Sequence, residues 1–185
     1  MNRPEAGDEL LIARFKDTGQ TSFLDDLFAR HMGMVRSMVY SMVLNDADAD
    51  DLTQDIFIRA GKALGRFEGR SRFSTWLYRI AMNTTHRFLR TRSARPLDPL
   101  EHEDCPVPEH GHPDRSAMAG ELDRAIADAL DELAPALRAA IVLTVIQDVP
   151  VSDAARVEGC STATMYWRVH RARKQLRAEL GRYLS

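Results

Sequence analysis

The chain has 185 residues, 44% of them hydrophobic, and a formal net charge of −2, which excludes wholesale disorder and allows one ordinary domain or two small ones. Its longest apolar run, residues 139–146, is too short to span a membrane, and its acidic N-terminus lacks the apolar segment of a secretory signal. Two cysteines are too few for a disulfide framework, so we expect a cytoplasmic protein. The short apolar run predicts no direct membrane insertion.

The small net charge conceals two basic blocks. Residues 59–95 carry ten bases and one acid, and residues 156–185 carry seven bases and two acids. An acidic stretch precedes each block. A single basic block is about as often a solvated helix face as a binding surface, but two such blocks favour two surfaces that face a polyanion.

The predicted elements are all helices, because no segment alternates apolar and polar residues and no Asn-Gly or Asp-Gly hairpin signal occurs. The first helix is predicted over residues 8–18, and the second runs from Thr21 or Ser22 to about Leu44. Methionines recur at helical spacing in the second helix, and such a stripe is more typical of a core than of a ligand site. Asn45 and the acids after it predict the capped start of a third helix. Its buried stripe is predicted to be Leu52, Ile56, Ala60 and Leu64.

A fourth helix is predicted from Ser74 or Thr75 to about Arg92. Its spacing divides it into two faces. One face is apolar and suits the core: Trp76, Leu77, Ile80, Ala81, Thr84 and Phe88. The other is polar and basic: Arg79, Asn83, His86, Arg87 and Arg90.

The segment 93–116 carries five prolines and six acids and has little to bury, which is typical of a linker. We therefore expect an all-α protein in which two small helical domains, residues 1–92 and 117–185, are joined by a flexible linker. In the second domain, one helix is predicted to run to about Leu133 and the next to start at Pro135 and include Val145.

The C-terminal segment fits a helix-turn-helix. Ser152 is predicted to cap a short helix, Gly159 to allow a sharp turn, and Ser161 or Thr162 to cap the second helix. From Ser161 to Arg177 there are five bases and no acid. The predicted buried stripe is Met165, Val169, Ala172 and Leu176, and the predicted outer residues are Tyr166, Trp167, Arg168, Arg171, Lys174 and Arg177. This pattern favours a major-groove reader over an ordinary amphipathic hairpin with a basic surface.

The loop before the fourth helix places aromatic rings among arginines. Exposed rings stack on unpaired bases while guanidinium groups follow the phosphates, so this loop indicates single-stranded nucleic acid or a flipped base. Taken singly, Phe73 and Trp76 are more typical of core residues.

Residues 51–90 resemble the bacterial sigma-70 family, specifically its extracytoplasmic-function (ECF) subfamily. The resemblance is most specific from Phe67 to Asn83, where the chain reads FEGRSRFSTWLYRIAMN. The helix-turn-helix also lies where this subfamily has its second DNA-binding domain. The resemblance covers nearly the whole chain apart from the linker. It implies a subunit that binds core RNA polymerase, directs it to promoters and promotes DNA opening, and that is commonly regulated by an anti-sigma factor.

The resemblance also implies roles for individual residues. Asp51, Gln54 and Asp55 match positions that contact the largest catalytic subunit of the polymerase. The single non-template strand at the −10 element would be bound by Phe67, Arg70, Ser71, Phe73, Arg79, Asn83 and Arg87. Duplex DNA at the −35 element would be read by Tyr166, Trp167, Arg168, His170, Arg171 and Lys174. The Tyr166-Trp167 pair departs from the small or basic pair usual in the family, so the −35 preference does not carry over.

Other functions receive less support from the sequence. An autonomous helix-turn-helix regulator would use the C-terminal module alone, but the chain lacks a heptad pattern for dimerisation. An enzyme is not expected, because there is no Gly-rich phosphate loop, nucleophile elbow or H-E-x-x-H motif, and no cofactor is implied. His102, Cys105, His110 and His112 raise the question of a metal, but their loose spacing among prolines and acids does not favour a site.

Overall fold

The computed structural model describes residues 5–94 and 117–181, and no strand occurs in either range. The helices are α1 (Glu5–Thr18), α2 (Thr21–Val43), α3 (Asp46–Leu64), α4 (Phe73–Ala94), α5 (Ala117–Asp131), α6 (Pro135–Ile141), α7 (Val151–Glu158) and α8 (Thr162–Leu180), with a π-helical turn over Val142–Ile146 between α6 and α7. The all-α class and the two helical units, α1–α4 and α5–α8, are as predicted. The prediction of a flexible linker falls on residues that lie outside the described ranges.

The connection between α2 and α3 is short and tightly specified. Leu44 closes α2 in a left-handed conformation with φ of 57°, and its N–H donates to the carbonyl of Tyr40 at 2.7 Å. Asn45 then caps α3, because its side-chain oxygen accepts from the N–H of Asp48 at 2.9 Å. Two successive helices are thereby folded back on each other, and the capped start of α3 at Asn45 is as predicted.

The first unit packs α2, α3 and α4 around one core. All four residues of the predicted α3 stripe are buried: Leu52, Ile56, Ala60 and Leu64. On α2, Leu27, Met38 and Met42 are fully buried, so these methionines are core residues rather than ligands. The helix α1 packs on α2 and contacts α4.

The second unit differs from the prediction in two local respects. The helix that begins at Pro135 changes to a π-helical turn at Val142, where the N–H of Gln147 donates to the carbonyl of Val142 at 2.9 Å. The short helix α7 is entered through Pro150 rather than capped by Ser152. The carbonyl of Pro150 accepts from the N–H of Ala154, and proline has no N–H to leave unpaired at that position.

The two units pack against each other, which the sequence does not reveal. Helix α4 of the first unit contacts α7 of the second, and α2 contacts α6 and the π-helical turn. One hydrophobic cluster contains side chains from both units, including Met82 and Val157. The inter-unit contact therefore covers a face of α4 that sequence periodicity had not assigned to the core.

None of the helices in the described ranges is long and apolar enough to cross a membrane. Among the same residues, no group of three or more His, Cys, Asp or Glu side chains could hold a metal ion. The cluster of His102, Cys105, His110 and His112 lies outside the described ranges.

Candidate nucleic-acid interface

The loop between α3 and α4 is built on a cluster of three aromatic rings. Phe67 lies edge-on to Phe73 with centroids 5.9 Å apart, and the ring centroid of Trp76 is 5.2 Å from Phe67 and 5.5 Å from Phe73. The ring of His31, on α2, meets Phe73 at 5.1 Å. Gly69 turns the loop with φ of 70°, a conformation that favours glycine.

Neither phenylalanine in this cluster is exposed. The burial of Phe67 differs from the prediction of rings open to solvent, whereas Phe73, taken singly, is more typical of a core residue. Phe67 is 9% and Phe73 4% exposed. The rings pack on one another and are thereby shielded from water. Each such aromatic pair contributes about 0.5–1.5 kcal/mol to stability beyond the burial of apolar area. Trp76 is partly buried against the same core, which agrees with its interpretation as a core residue.

Helix α1 holds the loop from the side. Lys16 donates a hydrogen bond to the carbonyl of Phe67, and its ammonium lies 6.0 Å from the centroid of that ring. Deeper in, the buried carboxylate of Asp8 accepts from His31 at 2.7 Å, and Arg30 lies 3.4 Å from the same carboxylate. Lys16 thus connects α1 to the backbone of the aromatic cluster at Phe67, and Asp8 connects α1 to the cluster through His31. The sequence reasoning missed this role, and the only signal for it was Lys16 as a basic residue in the last turn of α1.

The polar groups of the loop face outward. Arg70 is exposed and pairs with Glu68 at 2.6 Å, and Arg72 is exposed beside it. Ser71 is partly exposed, and its hydroxyl donates to the carbonyl of Arg72 at 3.3 Å. The loop thus presents guanidinium groups at its surface, above the buried aromatic cluster.

Helix α4 continues the basic surface. Arg79, Asn83 and Arg87 are all exposed, and their spacing of four residues places them along one face. Leu77 and Ala81 are buried on the core side, as predicted. The structure thereby places three of the five predicted polar residues of α4 on one solvent-facing row.

A third face of α4 is covered by the second unit. Tyr78, Met82 and Thr85 are buried there, although the sequence pattern did not assign them to the core. Burial raises the pKa of Tyr78, so its hydroxyl stays protonated and donates to Gln147 at 3.0 Å. His86 was predicted on the basic face but is partly buried, 3.0 Å from Glu158 of α7.

A separate apolar groove of about 570 Å³ runs between α2 and α3. Met32 and Ile58 are exposed in it at 43% and 50%, and Gln54 lines its polar edge. Of the three residues predicted to contact a polymerase, Gln54 is the one that lines the groove. Asp51 is exposed on the same helix, and Asp55 pairs with Arg59 at 2.8 Å.

One end of this groove is fixed by a charged network. Arg36 of α2 donates to Asp50 at 2.6 Å and to Asp46 at 2.9 Å. These hydrogen bonds, first that to Asp50, raise the pKa of Arg36. Arg36 therefore remains charged and joins the two helices that form the groove.

The helix-turn-helix has the predicted geometry. Gly159 closes α7 with φ of 64°, and the hydroxyl of Ser161 caps α8 by accepting from the N–H of Thr164 at 3.0 Å. Met165, Val169 and Ala172 are buried, as predicted. Leu176 is partly buried.

The outer face of α8 is aromatic and basic. Tyr166 and Trp167 are each 60% exposed. The other exposed residues of the predicted −35 set are His170, Arg171 and Lys174. Arg168 differs, because its side chain is partly buried and lies 3.4 Å from Glu158.

Comparison with known proteins assigns these two units to known regions. The family models of sigma-70 region 2 and of sigma-70 region 4 match residues 27–95 and 123–176. The chain is 31% identical to the ECF RNA polymerase sigma-E factor of Escherichia coli K12, over 91% of this chain and 92% of that protein. The chain belongs to the ECF subfamily of the sigma-70 family. Region 2 thus contains the apolar groove, the loop and α4, and region 4 contains the helix-turn-helix.

Further similarities cover most of the chain. The RNA polymerase sigma factor CarQ of Myxococcus xanthus is 36% identical, over 92% of this chain and 95% of that protein. A solved structure of CnrH in complex with the cytosolic domain of CnrY is 30% identical, with a TM-score of 0.72 over 95% of this chain and 97% of that one. The sigma factor RpoE of Bartonella quintana, solved with the anti-sigma factor NepR, is 25% identical, with a TM-score of 0.71 over 88% of this chain and 98% of that one.

Proposed function

We propose that this sigma factor binds core RNA polymerase, directs it to specific promoters and promotes DNA opening there. The observation that carries the proposal is the presence of two distinct surfaces on region 2. The apolar groove is lined by α2 and α3 alone, whereas the exposed basic row lies on α4. Because the two surfaces share no residue, a polymerase and a DNA strand could occupy them at the same time.

The groove between α2 and α3 is the proposed polymerase contact. Exposed Met32 and Ile58 offer apolar area to a partner helix, and Gln54 offers hydrogen bonds at the edge. Asp51 and Asp55 on the same helix α3 add negative charge for a basic partner. The Escherichia coli relative is named an RNA polymerase sigma-E factor, which supports a polymerase partner for this chain.

The loop and α4 are the proposed −10 site. Arg79 and Arg87 would contact phosphates of the non-template strand, and Asn83 between them would contact a base. Arg70 and Ser71 are accessible at the loop surface. Phe67 and Phe73 would form the wall on which a flipped base rests, and direct stacking on Phe67 would require its ring to move out of the cluster.

Helix α8 is the proposed −35 reader. Tyr166, Trp167 and His170 are exposed at the start and middle of the helix, where residues of a recognition helix reach base edges. Arg171 and Lys174, further along, would contact phosphates. Arg168 would contribute only after its pairing with Glu158 rearranges.

The proposal includes regulation by an anti-sigma factor. The structural neighbour RpoE of Bartonella quintana was solved with such a factor, which supports a similar partner here. An apolar groove used for the polymerase is a natural target for that partner, since covering it would prevent polymerase binding. We further propose that the chain acts in the cytoplasm and carries no chemistry of its own, because the polymerase supplies the active site.

The test is transcription with purified core polymerase on a library of promoter fragments, together with a measurement of core affinity. Ile58→Asp should weaken core binding at least tenfold, because a carboxylate would be buried against an apolar partner. Ile126→Asp is the matched control, since Ile126 is an exposed isoleucine of α5 in region 4. Absence of transcription with several bacterial core polymerases would contradict the proposal.

A second arm tests DNA opening. Asn83→Ala should leave core binding intact and reduce opening at the −10 element, because Asn83 is exposed and its loss leaves the fold unchanged. Tight sequence-specific binding of the free protein to duplex DNA, without any stimulation of polymerase, would instead favour an autonomous regulator.

A further inference from the structure

We propose that the buried pair of Asp8 and His31 positions Phe73 as a fixed wall of the −10 site, and that this positioning is needed to capture the flipped base during promoter opening. The second half of this statement rests on the proposed promoter function. The first half concerns the free protein alone. It is carried by a series of contacts that runs from α1 through α2 to the first residue of α4.

Asp8 of α1 and His31 of α2 form a buried polar pair between the two helices. Asp8 is 2% and His31 5% exposed, and the Nε2 atom of His31 lies 2.7 Å from a carboxylate oxygen of Asp8. Because an ionised carboxylate only accepts, Nε2 carries the proton of this hydrogen bond. Two apolar side chains of similar size would fill the same space without removing a carboxylate from water. What the polar pair adds is direction, since a hydrogen bond has a preferred angle and apolar packing has none.

Arg30 is a second partner of Asp8 and has a different character. Its Nη1 atom lies 3.4 Å from the other carboxylate oxygen, and its side chain is 45% exposed. Gly7 leaves room for this guanidinium, because a Cβ atom at residue 7 would collide with Nη1. A long ion pair at an exposed side chain contributes little. The short hydrogen bond to His31 is therefore the contact that orients a buried ring.

The ring of His31 also meets Phe73, with which α4 begins. The two ring centroids are 5.1 Å apart and the ring planes are inclined at 68°, so the edge of one ring faces the other. Such a contact depends on the rotation of each ring. The hydrogen bond to Asp8 fixes the rotation of His31, and Asp8 thereby orients Phe73 through His31.

Helix α1 thus acts on both ends of the loop between α3 and α4. Lys16 donates to the carbonyl of Phe67 near the start of the loop, and Asp8 acts through His31 on Phe73 at its end. Asp8 and Lys16 are eight residues apart on α1, which is about 12 Å along the helix axis. One helix therefore spans the loop and holds it at two points.

A fixed wall matters for capture of a base. A flipped base gains stacking without a cost of rearrangement only where the wall is in place before the base arrives. Direct stacking on Phe67 requires its ring to leave the cluster, so Phe73 is the ring that stays in place. Phe73 is 4% exposed and lies 5.5 Å from Trp76, which supports it on the core side. Loss of the Asp8 hydrogen bond should therefore slow promoter opening.

Core binding should not depend on this pair. The groove proposed for the polymerase is lined by other residues of α2 and α3, including Met32, Gln54 and Ile58. A variant of Asp8 or His31 should therefore bind core polymerase with the wild-type affinity and show its defect only at the opening step.

The main variant replaces the pair by apolar side chains. Asp8→Leu with His31→Phe fills the same space and keeps a ring beside Phe73, so the melting temperature should not fall. The orienting hydrogen bond is absent, so the opening rate of the holoenzyme should drop about tenfold. Asp8→Asn is the rescue, because its amide oxygen still accepts from Nε2 and should keep at least about half of the wild-type rate. Arg30→Met is the matched control and should change the rate by less than about twofold.

A promoter without the flipped base separates positioning from general damage. An abasic nucleotide is placed at each −10 position of the non-template strand in turn, and the position at which wild-type opening falls most is used. There the double variant should open as fast as the wild type within about twofold, because no base is left to capture. An equal defect on the intact and the abasic promoter overturns the role in base capture, and so does an unchanged rate on the intact promoter.

Nuclear magnetic resonance of the free protein tests the positioning itself. With a carbon-13 label on the ring of Phe73, the ring should flip about tenfold faster in the double variant, because its neighbour is no longer oriented. Asp8→Asn and Arg30→Met should keep the wild-type rate. An unchanged or slower flip in the double variant overturns the positioning of Phe73. A fall in its melting temperature overturns it as well, since the pair would then be a source of stability.

The two proposals fail in different ways. If the wild-type holoenzyme opens no promoter, the proposed function fails, and the role of the pair in base capture fails with it. The ring-flip measurement needs no polymerase, so it still decides whether Asp8 and His31 position Phe73. If the wild type opens promoters but the double variant does so equally well, the promoter function stands and the further inference is overturned.

Discussion

Lys16 on α1 is predicted to anchor the loop that would receive a promoter base. Lys16→Met keeps the length of the apolar stem but removes the ammonium. The variant loses the hydrogen bond to the carbonyl of Phe67 and the contact of the cation with the Phe67 ring. Lys16→Arg should restore both in part, because a guanidinium also donates and also stacks on aromatic faces.

The expected magnitude follows from these two contacts. A hydrogen bond with one charged partner is worth about 1.5–3 kcal/mol when buried, and about 1 kcal/mol here because the Lys16 side chain is exposed. The cation–ring contact adds about 0.5–1 kcal/mol at an exposed site. The loop should therefore lose about 1.5–2 kcal/mol of local stability, whereas the core of region 2 should be almost unaffected.

Hydrogen exchange of the loop amides measures this local loss. The amides of residues 67–72 should exchange about 10- to 30-fold faster in Lys16→Met, while those of α3 keep their wild-type rates. Arg14→Met is the control, because Arg14 is another exposed base on α1. If Arg14→Met and Lys16→Met accelerate loop exchange equally, Lys16 does not anchor the loop. If exchange is faster but promoter opening is unchanged, the loop does not need to be rigid to function.

Three further outcomes are expected. Asn45→Ala removes the cap of α3, so the free energy of unfolding should fall by about 1 kcal/mol and the melting temperature by about 2–4 °C. An unchanged melting temperature would mean that the cap hydrogen bond to Asp48 is not formed in solution. Arg87→Ala should weaken binding of the holoenzyme to −10 single-stranded DNA. The slope of the logarithm of the binding constant against the logarithm of the salt concentration should fall by about the contribution of one phosphate contact. An unchanged slope would show that Arg87 does not contact a phosphate. Trp167→Ala should leave stability within about 0.5 kcal/mol, because the ring is 60% exposed, yet weaken binding to −35 duplex about tenfold. If instead only partner binding weakens, the ring belongs to a protein interface.

Features that depend on one helix and its neighbours in sequence were predictable. The buried stripe of α3, the cap at Asn45, the turn at Gly159 and the cap at Ser161 all follow from local periodicity and capping chemistry, and the structure confirms them. The cap predicted at Ser152 was wrong, because Pro150 two residues earlier provides the first turn with its carbonyl.

Features that depend on contact between the units were not predictable. Periodicity divides α4 into an apolar face and a basic face, but it does not indicate that region 4 covers a third face. The sequence therefore contains no indication that Tyr78 and Thr85 are buried. His86, predicted on the basic face, instead pairs with Glu158. The exposed row of Arg79, Asn83 and Arg87 was correctly predicted, but its role in DNA binding stays a prediction.

The contact between α1 and the loop has a consequence for protein engineering. The region 2 family model begins at residue 27, whereas the side chains that hold Phe67 and His31 come from Lys16 and Asp8. A promoter-specificity module transplanted at the family boundary would leave those two side chains behind. Chimeric sigma factors for orthogonal gene circuits should therefore be joined before α1, so that the transplanted loop keeps its own support.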